Sequence, residues 1–258
     1  MLCSVKKFFE KIDKILTNCS VRTIMVSVLN SMDTKIWGLT MAHRENNATQ
    51  QAIIDSAVRN FLTNGFRNTS AKMICNDVGI SPGNLTFWFP TKADILLEFT
   101  KKIMEYHKKF IEGFKSKGAE NLYTYCLEIV VQIALCEEKE NIRDIYYSMY
   151  SEPLTMSYLK DWTAEKNLDI LGSYLPDWDL TRFRRAANVT CCIERGALSE
   201  PCTEDYTLED KIWLTLTCLL KIHDFEKEDR EIVISQILAT DYHKIKNEML
   251  KQLDEFLK

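Results

Sequence analysis

From about Asn47 onward, apolar side chains recur at the three- and four-residue steps of a helix almost everywhere. Ile53, Ala57 and Phe61 fall four apart with Ile54, Val58 and Leu62 beside them, and Gly65 ends that run. A short second helix is predicted over Ser70–Val78, where Met73, Ile74 and Val78 are apolar. Gly79-Ile80 turns the chain, and Ser81-Pro82 opens a third helix that ends near Phe89-Pro90. A serine oxygen takes a free backbone N–H at a cap, and proline at the first helical position gives up only an orphan donor. Thr91-Lys92-Ala93-Asp94 is a capping box. It starts a long helix, 93–114, striped by Leu96, Phe99, Ile103, Tyr106 and Phe110. Further helices are predicted over 121–137, 141–152, 154–174, 179–197, 207–225, 229–240 and 241–257, with a second capping box at Thr207-Leu208-Glu209-Asp210.

These elements describe an all-α chain: an N-terminal extension (1–46), a three-helix helix-turn-helix head (47–92) and a larger helical body (93–258) entered through the long helix. Composition agrees. Eight glycines and five prolines in 258 residues are about 3% and 2%, against usual levels near 7% and 5%. Folds that turn tightly at every strand connection use more of both. The net charge of −4 suggests no nucleic-acid partner, but its distribution does. Residues 1–42 carry six Lys/Arg against three Asp/Glu, and residues 43–110 carry nine against six. The remainder holds 18 against 28. A basic first part on an acidic body suits a protein whose one end meets a polyanion.

The nine cysteines and four histidines form no Cys-x-x-Cys or His-x-x-x-His pair, so no metal and no cofactor is expected. The run Thr23–Leu29 is too short for a signal peptide core, and Ile212–Leu220, flanked by Lys211 and Lys221, is too short to span a bilayer. The expectation is a cytoplasmic protein with reduced thiols and no membrane partner. No Gly-x-Ser-x-Gly, Gly-rich phosphate loop or Ser/His/Asp trio is present, and no enzyme is expected.

Three short helices with a tight glycine turn between the second and third make a helix-turn-helix, whose third helix offers its N-terminal face to the major groove. The residues narrow this further. Ala52 to Ser70, Ile74 to Leu85 and Phe89-Pro90-Thr91-Lys92-Ala93-Asp94-Ile95-Leu96 resemble, in order and without a gap, the head of the TetR/AcrR family of bacterial transcription regulators. The resemblance implies a head core of Ala57, Phe61, Phe66, Ile74, Val78, Ile80, Leu85 and Phe89, with turns at Gly65 and Gly79. It implies phosphate contacts from Thr69, Ser70 and Lys92, with Lys72 nearby on the DNA side. It sets Ser81, Pro82, Gly83, Asn84, Thr86, Phe87 and Trp88 on or near the recognition helix. Asn84 is the candidate for a base edge, because an amide both donates to and accepts from adenine. The family commonly carries a tyrosine where this chain has Thr86, which reaches less far toward a phosphate. Phe87 and Trp88 are open to either thymine-methyl contact or packing against the head.

In that family the body dimerises and holds a small molecule, so the resemblance implies a homodimer on double-stranded operator DNA, a repressor released by an unknown effector. Tyr123, Cys126, Tyr146, Tyr147, Tyr150 and Trp162 are candidate ligand contacts, ordinary core being the other reading of the same stripe. Small residues (Ala186, Ala187, Thr190, Cys191, Gly196, Ala197) and the stripe Ile212, Leu216, Leu219, Ile222 suit either pairing or internal packing. Arg195 reads either as a contact for an anionic ligand or, more readily, as a salt-bridge partner across the dimer. Two alternatives accompany this reading: a thiol sensor switched at Cys75 or Cys191-Cys192, and a helical protein-interaction protein with a degenerate head. Residues 1–40 read either as an upstream mis-start ahead of Met41 or as a basic extension with an amphipathic helix over Val5–Leu16.

Overall fold

The computed structural model describes residues 41–115 and 120–256, and both expectations for residues 1–40 lie outside the described residues. Among the described residues every extended element is a helix, with one isolated antiparallel bridge between Thr203 and Tyr206. The head comprises α1 (Met41–Asn64), α2 (Ala71–Val78) and α3 (Pro82–Trp88). The long joining helix is α4 (Lys92–Lys115). The body continues as α5 (Asn121–Glu138), α6 (Glu140–Ser151), α7 (Pro153–Leu171), α8 (Leu180–Ser199), α9 (Leu208–Ile222), α10 (Lys227–Leu238) and α11 (Tyr242–Phe256). Two spans end three residues before their pattern: the helix expected to reach 174 ends at Leu171, and the one expected to reach 225 ends at Ile222. Pro176 disfavours helical backbone in the residue before it, and the chain leaves in a turn that buries Trp178.

The caps hold as their chemistry requires. Ser70 Oγ accepts from Met73 N and Ser81 Oγ from Asn84 N. Both boxes close, Thr91 with Asp94 and Thr207 with Asp210. Gly65 (φ 81°) and Gly79 (φ 74°) end α1 and α2 in the left-handed region, which a side chain disfavours by about 1–2 kcal/mol.

α5 is the axis of the body. It is buried from Tyr123 through Cys136 and packs against α4 and every helix from α6 to α11. An apolar surface on all sides is what a helix needs in that position. Buried cations in the periphery are paired: Lys211 with Glu137 and the Glu200 carbonyl, Lys246 with Glu138 at 2.8 Å. The head has its own core. Phe61 meets Phe66 and Phe99 edge-on, with centroids 5.2 and 5.5 Å apart. Asp77 on α2 accepts from Ser56 (3.0 Å) and Asn60 (2.6 Å) of α1, fixing the angle between them.

Candidate functional site

The third helix stands out from the head. Ser81, Pro82, Gly83, Asn84, Thr86 and Phe87 are exposed, while Leu85 is buried beneath them. Phe87 is 75% exposed, so it is not packing. Trp88 is half-buried against the core and receives Phe87 edge-on at 5.1 Å, so of the two aromatics only Phe87 is presented outward. The Thr86 hydroxyl turns back to the carbonyls of Pro82 (3.2 Å) and Gly83 (3.1 Å). Ser70 and Lys72 are exposed at the start of α2.

Thr69 and Lys92 take other positions. Thr69 is 1% exposed and donates to Gly65 O at 2.8 Å, leaving its side chain no surface for a phosphate. Lys92 Nζ donates to the carbonyls of Phe66 (2.9 Å) and Thr69 (3.0 Å) and lies 4.1 Å from the Phe66 ring centroid. Burial pushes its pKa below the usual lysine range, against the pull of Asp144 and Glu152. Lys92 thus braces the elbow between α1 and α2.

That elbow is also clasped by the body. Asp144 of α6 is buried; its Oδ2 accepts from Arg67 N at 2.9 Å, and its Oδ1 pairs with Arg67 Nε. Asn141 donates to Leu62 O, and the Tyr147 ring lies 5.5 Å from the Arg67 guanidinium carbon. Gly65 comes so close that a Cβ on it would sit 2.6 Å from Asp144 Oδ2. One face of α6, Asn141-Asp144-Tyr147, therefore holds the head.

The other face of α6 enters a buried polar core between α4 and α8. Tyr146 OH lies 3.2 Å from His107 Nε2 of α4. His107 Nδ1 and Lys166 Nζ of α7 approach Glu128 of α5 at 3.2 and 2.9 Å, and Gln132 lies 3.3 Å from the same carboxylate. Burial alone pushes the Glu128 carboxyl up, but Lys166 and His107 override it and hold it below the usual range. Tyr150 donates to Glu194 of α8 at 2.7 Å. There burial wins over the pull of Lys166 and Tyr150, and the carboxyl is raised. Trp162 lies 6.3 Å from His107 and 4.8 Å from Lys166 Nζ.

Residues 53–99 match the family model of bacterial regulatory proteins of the tetR family. These 47 of the chain's 258 residues form a TetR-type helix-turn-helix head. No curated protein matches its sequence. Among solved structures, the Thermus thermophilus FadR, a TetR-family repressor in complex with lauroyl-CoA, is similar with a TM-score of 0.52 and 17% identity, over 69% of this chain and 96% of that one. A gamma-butyrolactone receptor (ArpA-like) aligns at 14% identity and TM-score 0.43, over 74% and 96%. CprB from S. coelicolor A3(2) aligns at 16% and 0.40, over 75% and 98%. The first shares the fold: a TetR head on a larger helical body.

Within the body, the aromatic candidates separate. Tyr146, Tyr150 and Trp162 converge on the polar core. Tyr147 points the other way, exposed beside Arg67. Tyr123 bonds Thr240 at 2.9 Å, between α5 and the α10–α11 junction. Cys126 is fully buried, and burial pushes its thiol up. Arg195, read as an anion contact or a salt-bridge partner, is exposed, and its neighbour Glu194 is buried. One residue along a helix rotates the side chain by about 100°.

The small residues Ala186, Ala187, Thr190 and Cys191, and Ile212, Leu216 and Leu219, are buried within this chain rather than offered to a partner. The outward apolar residues of α8 and α9 are Val189, Trp213 and Leu214. Cys75 is buried; burial raises the Cys191 thiol to about 12, and Cys192 alone of the three is exposed. Sequence reasoning passed over Asn141, Asp144, His107, Lys166 and Glu194, which meet partners far along the chain. Glu128 did carry a signal, a carboxylate inside the apolar run 127–131. Among the described residues no group of three or more His, Cys, Asp or Glu is placed to hold a metal, and no helix is long and apolar enough to cross a membrane.

Proposed function

We propose that this regulator binds a pseudo-palindromic operator as a homodimer and represses transcription until a small molecule enters the polar core of the body. The observation that carries the reading is the double duty of α6. Its Tyr146 and Tyr150 line the interior, and its Asn141 and Asp144 hold the elbow of the head. A ligand that shifts α6 by a fraction of a turn re-aims the head directly. Asn84 and Phe87 read base edges from the exposed face of α3, and Ser70 and Lys72 contact phosphate. The paired copy is joined through Val189, Trp213 and Leu214, setting two heads roughly 34–36 Å apart or a multiple of it. By linkage, an effector that weakens operator binding is itself weakened by operator to the same factor.

Selection from a random duplex library with the full chain tests this. Enrichment of an inverted repeat is expected. A single half-site without its repeat overturns the dimeric reading, and no enrichment even at low salt identifies a head that no longer reads DNA. The binding protein's mass in sedimentation distinguishes one copy from two.

A further inference from the structure

We propose that the buried core between α4 and α8 is a site for an organic amine bearing one positive charge, with Glu194 as its counter-ion and the hydroxyls of Tyr125 and Thr190 as its hydrogen-bonding neighbours. The proposal rests on the reading of the body as the effector site and supplies that site's ligand class.

The two carboxylates of the core are served unequally. Glu128 is satisfied by Lys166 (2.9 Å), His107 (3.2 Å) and Gln132 (3.3 Å). Glu194 is 7% exposed and receives one hydrogen bond, 2.7 Å from Tyr150, and it forms no ion pair among the described residues. Taking a carboxylate out of water without a cation is among the costliest burials a protein makes. The raised pKa of Glu194 is the physical response to that imbalance.

Two buried groups nearby are also incomplete. Among the described residues the Tyr125 hydroxyl and Thr190 Oγ1 have no hydrogen-bond partner, a deficit of about 1–3 kcal/mol for each. Burial pushes the Tyr125 hydroxyl well above its usual pKa, and Glu194 adds to that shift. Thr190 stands one helical turn before Glu194 on α8. Aromatic faces complete the site. Lys166 Nζ already lies 4.8 Å from the Trp162 centroid and 5.6 Å from that of Tyr125, showing that these rings accept a cation from this interior. An anionic ligand would add a third negative charge to a core with one lysine. A neutral ligand would leave Glu194 uncompensated. An ammonium answers both deficits by pairing with the Glu194 carboxylate, and any proton that carboxyl holds passes to solvent as the ammonium binds.

The test uses the full chain and matched arylalkyl amines, alcohols and carboxylates of graded length, from phenethyl to phenylhexyl, with calorimetry in two buffers of different ionisation enthalpy. The amine of at least one length is expected to bind about tenfold or more tighter than its alcohol, a difference of about 1.4 kcal/mol, and to release a proton. Glu194→Gln, which keeps an acceptor for Tyr150, is expected to erase the amine preference over the alcohol and the proton release, with the circular dichroism unchanged. Alcohols or carboxylates binding as tightly as the amines would leave the effector site standing and overturn its assignment to amines. Retention of the amine preference by Glu194→Gln overturns it as well. Binding of none of the probes overturns both the site and its ligand class.

Discussion

At the scale of single residues, the head separates reading from bracing. Asn84 is exposed on α3 with an amide to offer, whereas Lys92 spends its ammonium on two carbonyls of its own chain. Asn84→Ala is expected to weaken operator binding by about 1–3 kcal/mol and to relax preference at one position per half-site, read by binding to single-base operator variants. Lys92→Ala is expected to lower head stability by about 1–3 kcal/mol through the lost charge-assisted bonds. It should leave the salt slope of DNA binding nearly unchanged, since no counterion-releasing contact is removed. A slope flattened by about one unit would return Lys92 to the phosphate contacts that its sequence position suggests. The same scale shows the limit of sequence patterns. Arg195 and Glu194 are adjacent, and only the rotation of α8 decides which of them is inside.

At the scale of elements, the helices were legible because their information is local. Capping boxes act over three residues and apolar stripes over four, so Thr91-Asp94 and Thr207-Asp210 announced α4 and α9 from the chain alone. The seam between head and body was not legible. Asp144 meets Arg67 and Asn141 meets Leu62 across more than seventy positions, and no local pattern encodes such a meeting. Gly65→Ala is expected to be more damaging than its turn alone requires. The left-handed φ costs about 1–2 kcal/mol, and the added methyl group also displaces Asp144. Asp144→Ala should leave the helix content intact while the Arg67 amide exchanges faster with deuterium. Operator affinity should then lose its response to any ligand of the body. Unchanged exchange at Arg67 would remove α6 from the coupling.

At the scale of the whole molecule, the two core carboxylates make opposite demands on pH. Glu128 is held below its usual range, so its contribution to stability is full above the unfolded value near 4.5 and is lost as pH falls through the lower folded value. Glu194 is raised, so its contribution is present below 4.5 and is lost as pH rises toward the higher folded value. At neutral pH, Glu128→Gln is expected to lower the melting temperature and Glu194→Gln to raise it, with the difference narrowing in acid; two shifts of the same sign would break this account. The outer apolar residues speak to assembly. Trp213→Glu with Val189→Asp is expected to halve the mass in sedimentation and to abolish binding to an inverted repeat, with the monomer's melting little changed.

The clasp at Gly65 bears on how freely this head can be traded. Regulators assembled from a reading part and a sensing part invite chimaeras, each part lifted at a helix boundary. Here a cut after α4 strands the Arg67 amide and the Leu62 carbonyl, because Asp144 and Asn141 stay behind with the donor body. A transplanted head is therefore expected to respond to its new host only when the host's helix at the position of α6 carries that Asn and Asp three residues apart. Portability in this protein is a property of a pair of elements, not of the head.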